Sequence, residues 1–261
     1  MKGNTVMKVT AFVGSARKKH TYDATELFLQ KLKSLGDVEY EIVRLSDQNL
    51  GTCKGCQLCF SEGEEFCQFK DDRDKLIEKI MTSDGVIFAS PNYSFHVSAL
   101  MKIFLDRLGF VFHRPRFFGK AFTSIVAQGI YGGSKIVNYF NFIGNGSGFN
   151  VVKGCCIRSL EPMTEKGRKK IGKAIDRLSR KFYAKIIKKE YPVPSLLKLM
   201  AFRAGRSSIK LMLDESCKDY RYYEEKGWFE ADYYYPVKLS PLKKLTGKYF
   251  DMMGAKMAKN N

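Results

Sequence analysis

Nowhere in the 261 residues does an uninterrupted apolar run approach the roughly 20 positions a membrane-crossing helix requires, so no spanning segment is expected. The amino terminus is apolar only from Val6 to Val13 and lacks a small-residue cleavage site, so it reads as a strand rather than a signal peptide, and a cytoplasmic location is the expectation. Neither GxxxxGK[ST] nor GxGxxG occurs, which removes support for ATP on a P-loop and for a Rossmann dinucleotide fingerprint. There is no internal repeat or low-complexity tract. Acidic residues thin out along the chain: residues 1–150 carry 19 Lys+Arg against 15 Asp+Glu, and residues 151–261 carry 26 against 12. The excess of base in the second part has no zinc-finger, RNA-recognition or helix-turn-helix signature beside it, so no specific nucleic-acid partner is expected.

What is present is an ordinary core, with 44% hydrophobic residues, patterned as alternating strands and helices. "VMKVTAFV" (6–13) precedes the helical "YDATELFLQKLKSL", and "VEYEIVRL" alternates as a strand, which together make a β-α-β unit. "DKLIEKIMTS" has helical period, "DGVIFAS" reads as a buried strand and "SALMKIFLDRLGF" as an amphipathic helix. "AFTSIVAQ" (121–128) is the fourth strand, followed by a helix near 134–144, a fifth strand over "NVVKGCCIRSL" and a long basic helix from Glu165 that ends before Tyr191-Pro192. Five apolar strands joined by helices imply an α/β fold with a doubly wound parallel sheet, flavodoxin-like in its order 2-1-3-4-5. A domain of 1–190 and an extension of 191–261 are expected. "PVPSLLKLMAFRAGRSSIKLML" reads as a basic amphipathic helix or pair, followed by an aromatic, turn-rich stretch. This extension reads as a cap or an oligomer interface, with contact to a membrane surface the less favoured alternative.

In such a sheet the ligand sits beyond the carboxyl ends of the strands, which directs attention to three loops. "GSARKKHTY" offers Ser15, Thr21 and Tyr22 as hydroxyl donors, Arg17 as a forked cation and the free N–H groups of a helix start, all suited to a phosphate monoester. "SPNYSFH" offers Pro91, Asn92, Tyr93 and Ser94 to the edge of a planar heterocycle. "AQGIYGGSK" offers Gln128, and Gly129 for close backbone approach. His96 and His113 read as structural, and Asp106-Arg107 as an ion pair or interface element. No catalytic side chain is assigned.

Four of the seven cysteines fall within "CKGCQLCFSEGEEFC", residues 53–67. The spacing C-x2-C-x2-C-x7-C of Cys53, Cys56, Cys59 and Cys67 suits the corners of a cubane cluster better than the paired ligands of a zinc site. Zinc, and a metal-free structural or redox thiol group, stay open as alternatives. Cys155 and Cys156 lie in a strand and alternate faces, so at least one reads as a small buried apolar residue. Cys217 has no partner in sequence.

The three loops resemble those of the flavodoxin-like NAD(P)H-dependent FMN reductases, and Cys53 to Asp72 resembles their iron-sulfur flavoprotein branch, over about residues 7–157. The resemblance implies that Ser15, Arg17, Thr21 and Tyr22 hold the FMN phosphate, that Pro91, Asn92, Tyr93 and Ser94 line the isoalloxazine, and that Gln128 and Gly129 approach its other edge. It further implies a [4Fe-4S] cluster on the four cysteines, NAD(P)H as co-substrate and a homo-oligomer. The first loop departs from the common form at Ala16, where Pro is usual, and at His20-Thr21-Tyr22, where Gly-Asn-Thr is usual. The expected activity is electron transfer from a nicotinamide through FMN to an acceptor. An electron carrier without NAD(P)H oxidation, and a non-enzymatic binding protein built on the basic tail, are the rival readings.

Overall fold

The computed structural model describes residues 6–259. By contact the chain divides into two units, one made of the residues up to Cys53 together with Lys70–Lys189, the other of Lys54–Phe69 together with Glu190 onward.

In the first unit β1 (Met7–Val13) leads to α1 (His20–Lys33), β2 (Val38–Arg44) follows, and α3 (Arg73–Thr82) comes after the departure of the chain into the second unit, where α2 (Leu58–Ser61) lies. Then come β3 (Gly85–Pro91), α4 (Ala99–Arg107), β4 (Ala121–Gln128), α5 (Gly133–Gly146), β5 (Asn150–Val151), β6 (Cys155–Arg158) and α6 (Glu165–Ile186). The sheet runs β2-β1-β3-β4-β5 with every pair parallel, and β6 continues along β4 beyond β5. Each crossover is a helix, as a parallel sheet requires.

Both faces are covered, which explains why β3 is buried throughout and β4 up to Gln128 instead of alternating, with only small hydroxyl side chains (Ser90, Thr123, Ser124) among their apolar residues. On one face Phe28 and Leu29 of α1 and Ile175, Leu178 and Phe182 of α6 pack on Val9, Ala11 and Ile87. On the other, Phe88 is the hub of a ring cluster, with Phe122 at 5.0 Å, Phe104 at 5.6 Å and Phe140 at 6.0 Å. Edge-to-face geometry of this kind contributes about 0.5–1.5 kcal/mol per pair beyond area burial.

The expected single strand over 150–160 is split into β5 and β6. At Gly154 the backbone runs so close to Ser124 that an added Cβ would lie 2.3 Å from the Ser124 carbonyl oxygen and 2.2 Å from its hydroxyl, and no other residue fits there. Asp106 and Arg107 each enter a structural ion pair. Asp106 binds Lys102 at 2.5 Å, while Arg107 turns inward and grips Asp71 with both guanidinium ends at 2.5 and 3.1 Å.

The second unit contains α2, α7 (Leu196–Met212), α8 (Lys218–Glu225) and α9 (Pro241–Lys259). Cys53 lies in the first unit, while residues 54–69, with Cys56, Cys59 and Cys67, group by contact with the later residues. Cys217, partnerless in sequence, hydrogen-bonds the carbonyl of Phe60 through its thiol at 3.4 Å, and Arg221 donates to the carbonyl of Glu62 at 3.2 Å. No helix among the described residues is long and apolar enough to cross a membrane.

Candidate functional site

The carboxyl ends of β1, β3 and β4 bring the three loops side by side, and a chain of short hydrogen bonds fixes them. Gly14 N–H donates to the Ala89 carbonyl at 2.8 Å, and Asn92 N–H to the Ala127 carbonyl at 2.7 Å. Buried Ser98, the N-cap of α4, accepts from Met101 N–H at 3.2 Å and donates to the Gly14 carbonyl at 2.5 Å. Ser90 accepts from Ser98 N–H at 3.0 Å. Sequence reasoning missed Ser90 and Ser98 as organisers of the site. The signal available for Ser98 was its position as a serine immediately before a helix.

In the first loop Ser15 is buried and donates to the Arg17 carbonyl at 2.8 Å, which folds the loop back on itself. Arg17 projects into solvent. Thr21 is buried in the first turn of α1, and Lys18 lies over the ring of Tyr22, 5.5 Å from its centroid. No side chain caps this helix, so the polar N–H groups of its first turn are left for an anion. Arg44 donates to the Ala16 carbonyl at 2.8 Å and tethers the loop from β2.

In the second loop Tyr93 and His96 form a two-way bridge, N–H to carbonyl at 3.1 and 2.9 Å, around a tight turn. Its two central residues, Ser94 (φ 49°) and Phe95 (φ 63°), occupy the left-handed region without being glycine, a conformation that persists only where the surroundings impose it. Asn92 donates through Nδ2 to the Tyr131 carbonyl at 2.9 Å, while its Oδ1 is buried without a hydrogen-bond partner. Phe95 and Tyr131, both exposed, approach to 5.2 Å and rim the junction of the second and third loops. His96 stacks near Tyr139 at 5.0 Å, and His113 is exposed at the end of a short turn after α4.

In the third loop the Gln128 Oε1 accepts the Gly133 N–H at 2.6 Å, so that oxygen is committed to the start of α5 and the amide nitrogen is the group left to face outward. Gly129 is exposed. Gly132 has φ +96°, and a Cβ there would meet Phe95 at 2.6 Å, so the close approach of the two loops depends on glycine. An orphaned buried acceptor, an uncapped helix start and a glycine cradle are the features of a surface shaped for a flat, phosphorylated group.

Beside these loops, Cys156, Arg158, Thr164, Lys166 and Lys170 line a cavity of about 660 Å³ at the end of β6. Burial pushes the Cys155 thiol up to about 12, with a contribution from neighbouring Cys156, and pushes Cys156 up to about 11, so both are neutral at physiological pH.

Cys53 and Cys56 are exposed, Cys59 and Cys67 half-buried. Among the described residues no group of three or more Cys, His, Asp or Glu side chains is arranged to hold a metal ion. The thiol set has the right chemistry for a cluster, and within the second unit Cys56, Cys59 and Cys67 are not gathered around one.

Fold and loops define a flavodoxin-like flavin protein. A model of the family described as NADPH-dependent FMN reductase matches residues 7–158, and the chain belongs to that family of flavin oxidoreductases. An iron-sulfur flavoprotein of Archaeoglobus fulgidus is 34% identical over 160 residues, covering 57% of this chain and 71% of that one. An iron-sulfur flavoprotein of Clostridioides difficile is 30% identical over 221 residues, covering 82% of this chain and 95% of its own. Among solved structures RosB, with a bound 8-demethyl-8-formylriboflavin-5'-phosphate, shares the fold at a TM-score of 0.55 and 13% identity, over 90% of this chain and 92% of its own.

Proposed function

We propose that the chain is an NAD(P)H-dependent oxidoreductase that holds FMN on the three strand-end loops. The observation that carries this reading is the convergence of those loops, locked by Ser98 and Asn92 and left with an unmet acceptor and an uncapped helix start. The α1 N–H groups with Thr21 and Tyr22 hold the phosphate, Ser15 shapes the loop around it through its bond to the Arg17 carbonyl and presents its backbone N–H, and Arg17 adds charge from solvent. Pro91 to Ser94 line the ring edge, Asn92 Oδ1 accepts a ring N–H, and Gln128 with Gly129 approaches from the third loop. When bound, FMN supplies two-electron acceptance from a nicotinamide and delivery to an acceptor. The protein orients and desolvates, and no side chain is asked to carry a proton. Arg158, Lys166 and Lys170 give the neighbouring cavity the charge to hold nicotinamide nucleotide phosphates. Phe95, Tyr131 and Phe142, all exposed on the first unit, favour a homo-oligomer in which a neighbouring copy covers them.

For the four cysteines, spacing and the similarity to iron-sulfur flavoproteins support a [4Fe-4S] cluster. The ungathered arrangement gives it no geometry, and no electron step is assigned to it. An absorption spectrum with flavin, iron and sulfide quantified on anaerobically purified protein tests both readings. Flavin bleached by NADPH or NADH supports the oxidoreductase, and absence of flavin overturns it. Iron and sulfide at about four each per chain, lost in Cys56→Ala, support the cluster. FMN titrated into Gly132→Val should bind at least tenfold more weakly. Lys166→Glu with Lys170→Glu should raise KM for NADPH with kcat little changed, because uniform binding is what is lost.

A further inference from the structure

Helix α9 has two different faces. Toward α7 it presents Gly247 and Gly254, its two buried positions, and Asp251, which binds Arg203 at 2.6 Å and Arg206 at 3.0 Å. Lys243 to the Pro194 carbonyl, Arg203 to Asp251 and Ser208 to the Gly254 carbonyl succeed one another along both helices, so α7 and α9 run parallel. The other face carries Leu242, Leu245, Tyr249 and Met252, which are 70%, 67%, 60% and 64% exposed. Their spacing of three, four and three residues makes one continuous apolar stripe. Lys244, Lys248 and Lys256 are exposed among and beside them. Asp251, the single acid of α9, is turned inward, so the outward face holds apolar groups and positive charge only.

We propose that this face of α9 rests on an anionic phospholipid bilayer, with the helix lying in the plane of the interface. Charge decides the occupant. A second copy of the chain would have to pair a stripe shorter than two heptads, and the next position of the seam is Lys256, which would meet lysine or flanking lysine from its twin. Anionic headgroups instead satisfy every exposed lysine, while Leu245 and Met252 enter the acyl boundary and Tyr249 keeps its hydroxyl at the headgroups. Exposed Leu211 and Met212 at the end of α7 extend apolar surface on the same helix pair. No helix of the described chain crosses a membrane, so the contact is one of lying on the surface.

The test uses the full-length protein, sedimented with vesicles of equimolar phosphatidylglycerol and phosphatidylcholine and with vesicles of phosphatidylcholine alone. Binding is expected to the first and not the second, and to weaken as salt is raised. Leu245→Gln with Met252→Gln, both at exposed positions, should lower partitioning roughly a hundredfold, as the loss of two inserted side chains implies. Lys244→Gln with Lys248→Gln and Lys256→Gln should lower it by a similar factor, at about fivefold per lysine. Flavin content and far-ultraviolet circular dichroism should be unchanged in both. Failure to bind the anionic vesicles, equal binding to neutral ones, or undiminished binding by the two variants would overturn the proposal. So would a stripe variant that turned a dimer into a monomer in sedimentation velocity, which would mean that a second copy covers the face.

Discussion

Arg107 and Asp71 place a buried ion pair between two points of the first unit that lie close together in space though far apart in sequence. Arg107 also donates to the Gly51 carbonyl at 3.0 Å, and Asp71 accepts the Gly51 N–H at 2.9 Å. One guanidinium thus closes the neck where residues 54–69 leave the sheet domain and return. The side chains are 2% and 6% exposed, so the pair is fully desolvated. Burial alone would push the Asp71 carboxyl up. The hydrogen bond from Arg107, the N–H groups of Gly51 and Arg73, and the Arg107 charge outweigh it and hold the carboxyl below its ordinary value. A carboxyl lowered in the folded state adds stability above its ordinary value and loses it as pH falls through the lowered one. Arg107→Met, which strands a buried carboxylate, should therefore cost about 3–5 kcal/mol in urea unfolding at neutral pH. Its deficit against wild type should shrink toward acid pH, where Asp71 protonates in both. Adding Asp71→Asn should recover part of the loss, and an additive double mutant would show that the two do not interact.

At the scale of elements, the short β6 puts two neighbouring thiols in different surroundings from those of the cysteine segment. Because burial raises Cys155 and Cys156, iodoacetamide at pH 8, applied to protein stripped of iron by a chelator, should label Cys53 and Cys56, which are exposed, well before either of them. Peptide mass spectrometry over a time course reads this directly, and early labelling of Cys156 would contradict it. The same region shows what a sequence can and cannot disclose. β1, β3 and β4 were legible because burial on both faces leaves them short and predominantly apolar, with at most a lysine or a small hydroxyl residue breaking the run, and their order followed from crossover rules. The break between β5 and β6 was not, since it depends on Gly154 meeting Ser124 across the sheet. Helix α9 was overlooked for a related reason: its apolar period at 242, 245, 249 and 252 points outward, and nothing in the sequence distinguishes an exposed stripe from irregular tail. The three loops were legible by position alone. The bonds from Ser98 to Gly14 and from Asn92 to Tyr131, which hold them in register, join residues that no local pattern connects.

Over the whole molecule the segment of residues 54–69, with Cys56, Cys59 and Cys67, belongs by contact with the carboxyl-terminal helices, although in sequence it interrupts the sheet domain. Its contacts there are specific: the Cys217 thiol and Arg221 hold the carbonyls of Phe60 and Glu62, and Lys218 lies 3.6 Å from Glu65. Helix α8 thus acts as the backing of α2, a helix of one turn that is too short to persist unaided. The sheet domain, by contrast, has its own two-sided core and contributes all three strand-end loops. A chain ending at Lys189 should then fold and retain flavin while its cysteine segment loses its backing. Cys59 and Cys67, half-buried in the intact protein, should become alkylated as fast as Cys56, with the flavin spectrum and FMN stoichiometry little altered. Unchanged protection of Cys59 and Cys67 would mean that the segment is held by something other than α8. Loss of flavin with the tail would mean that the three loops are not a self-sufficient site, and would move the carboxyl-terminal residues into the cofactor's binding machinery.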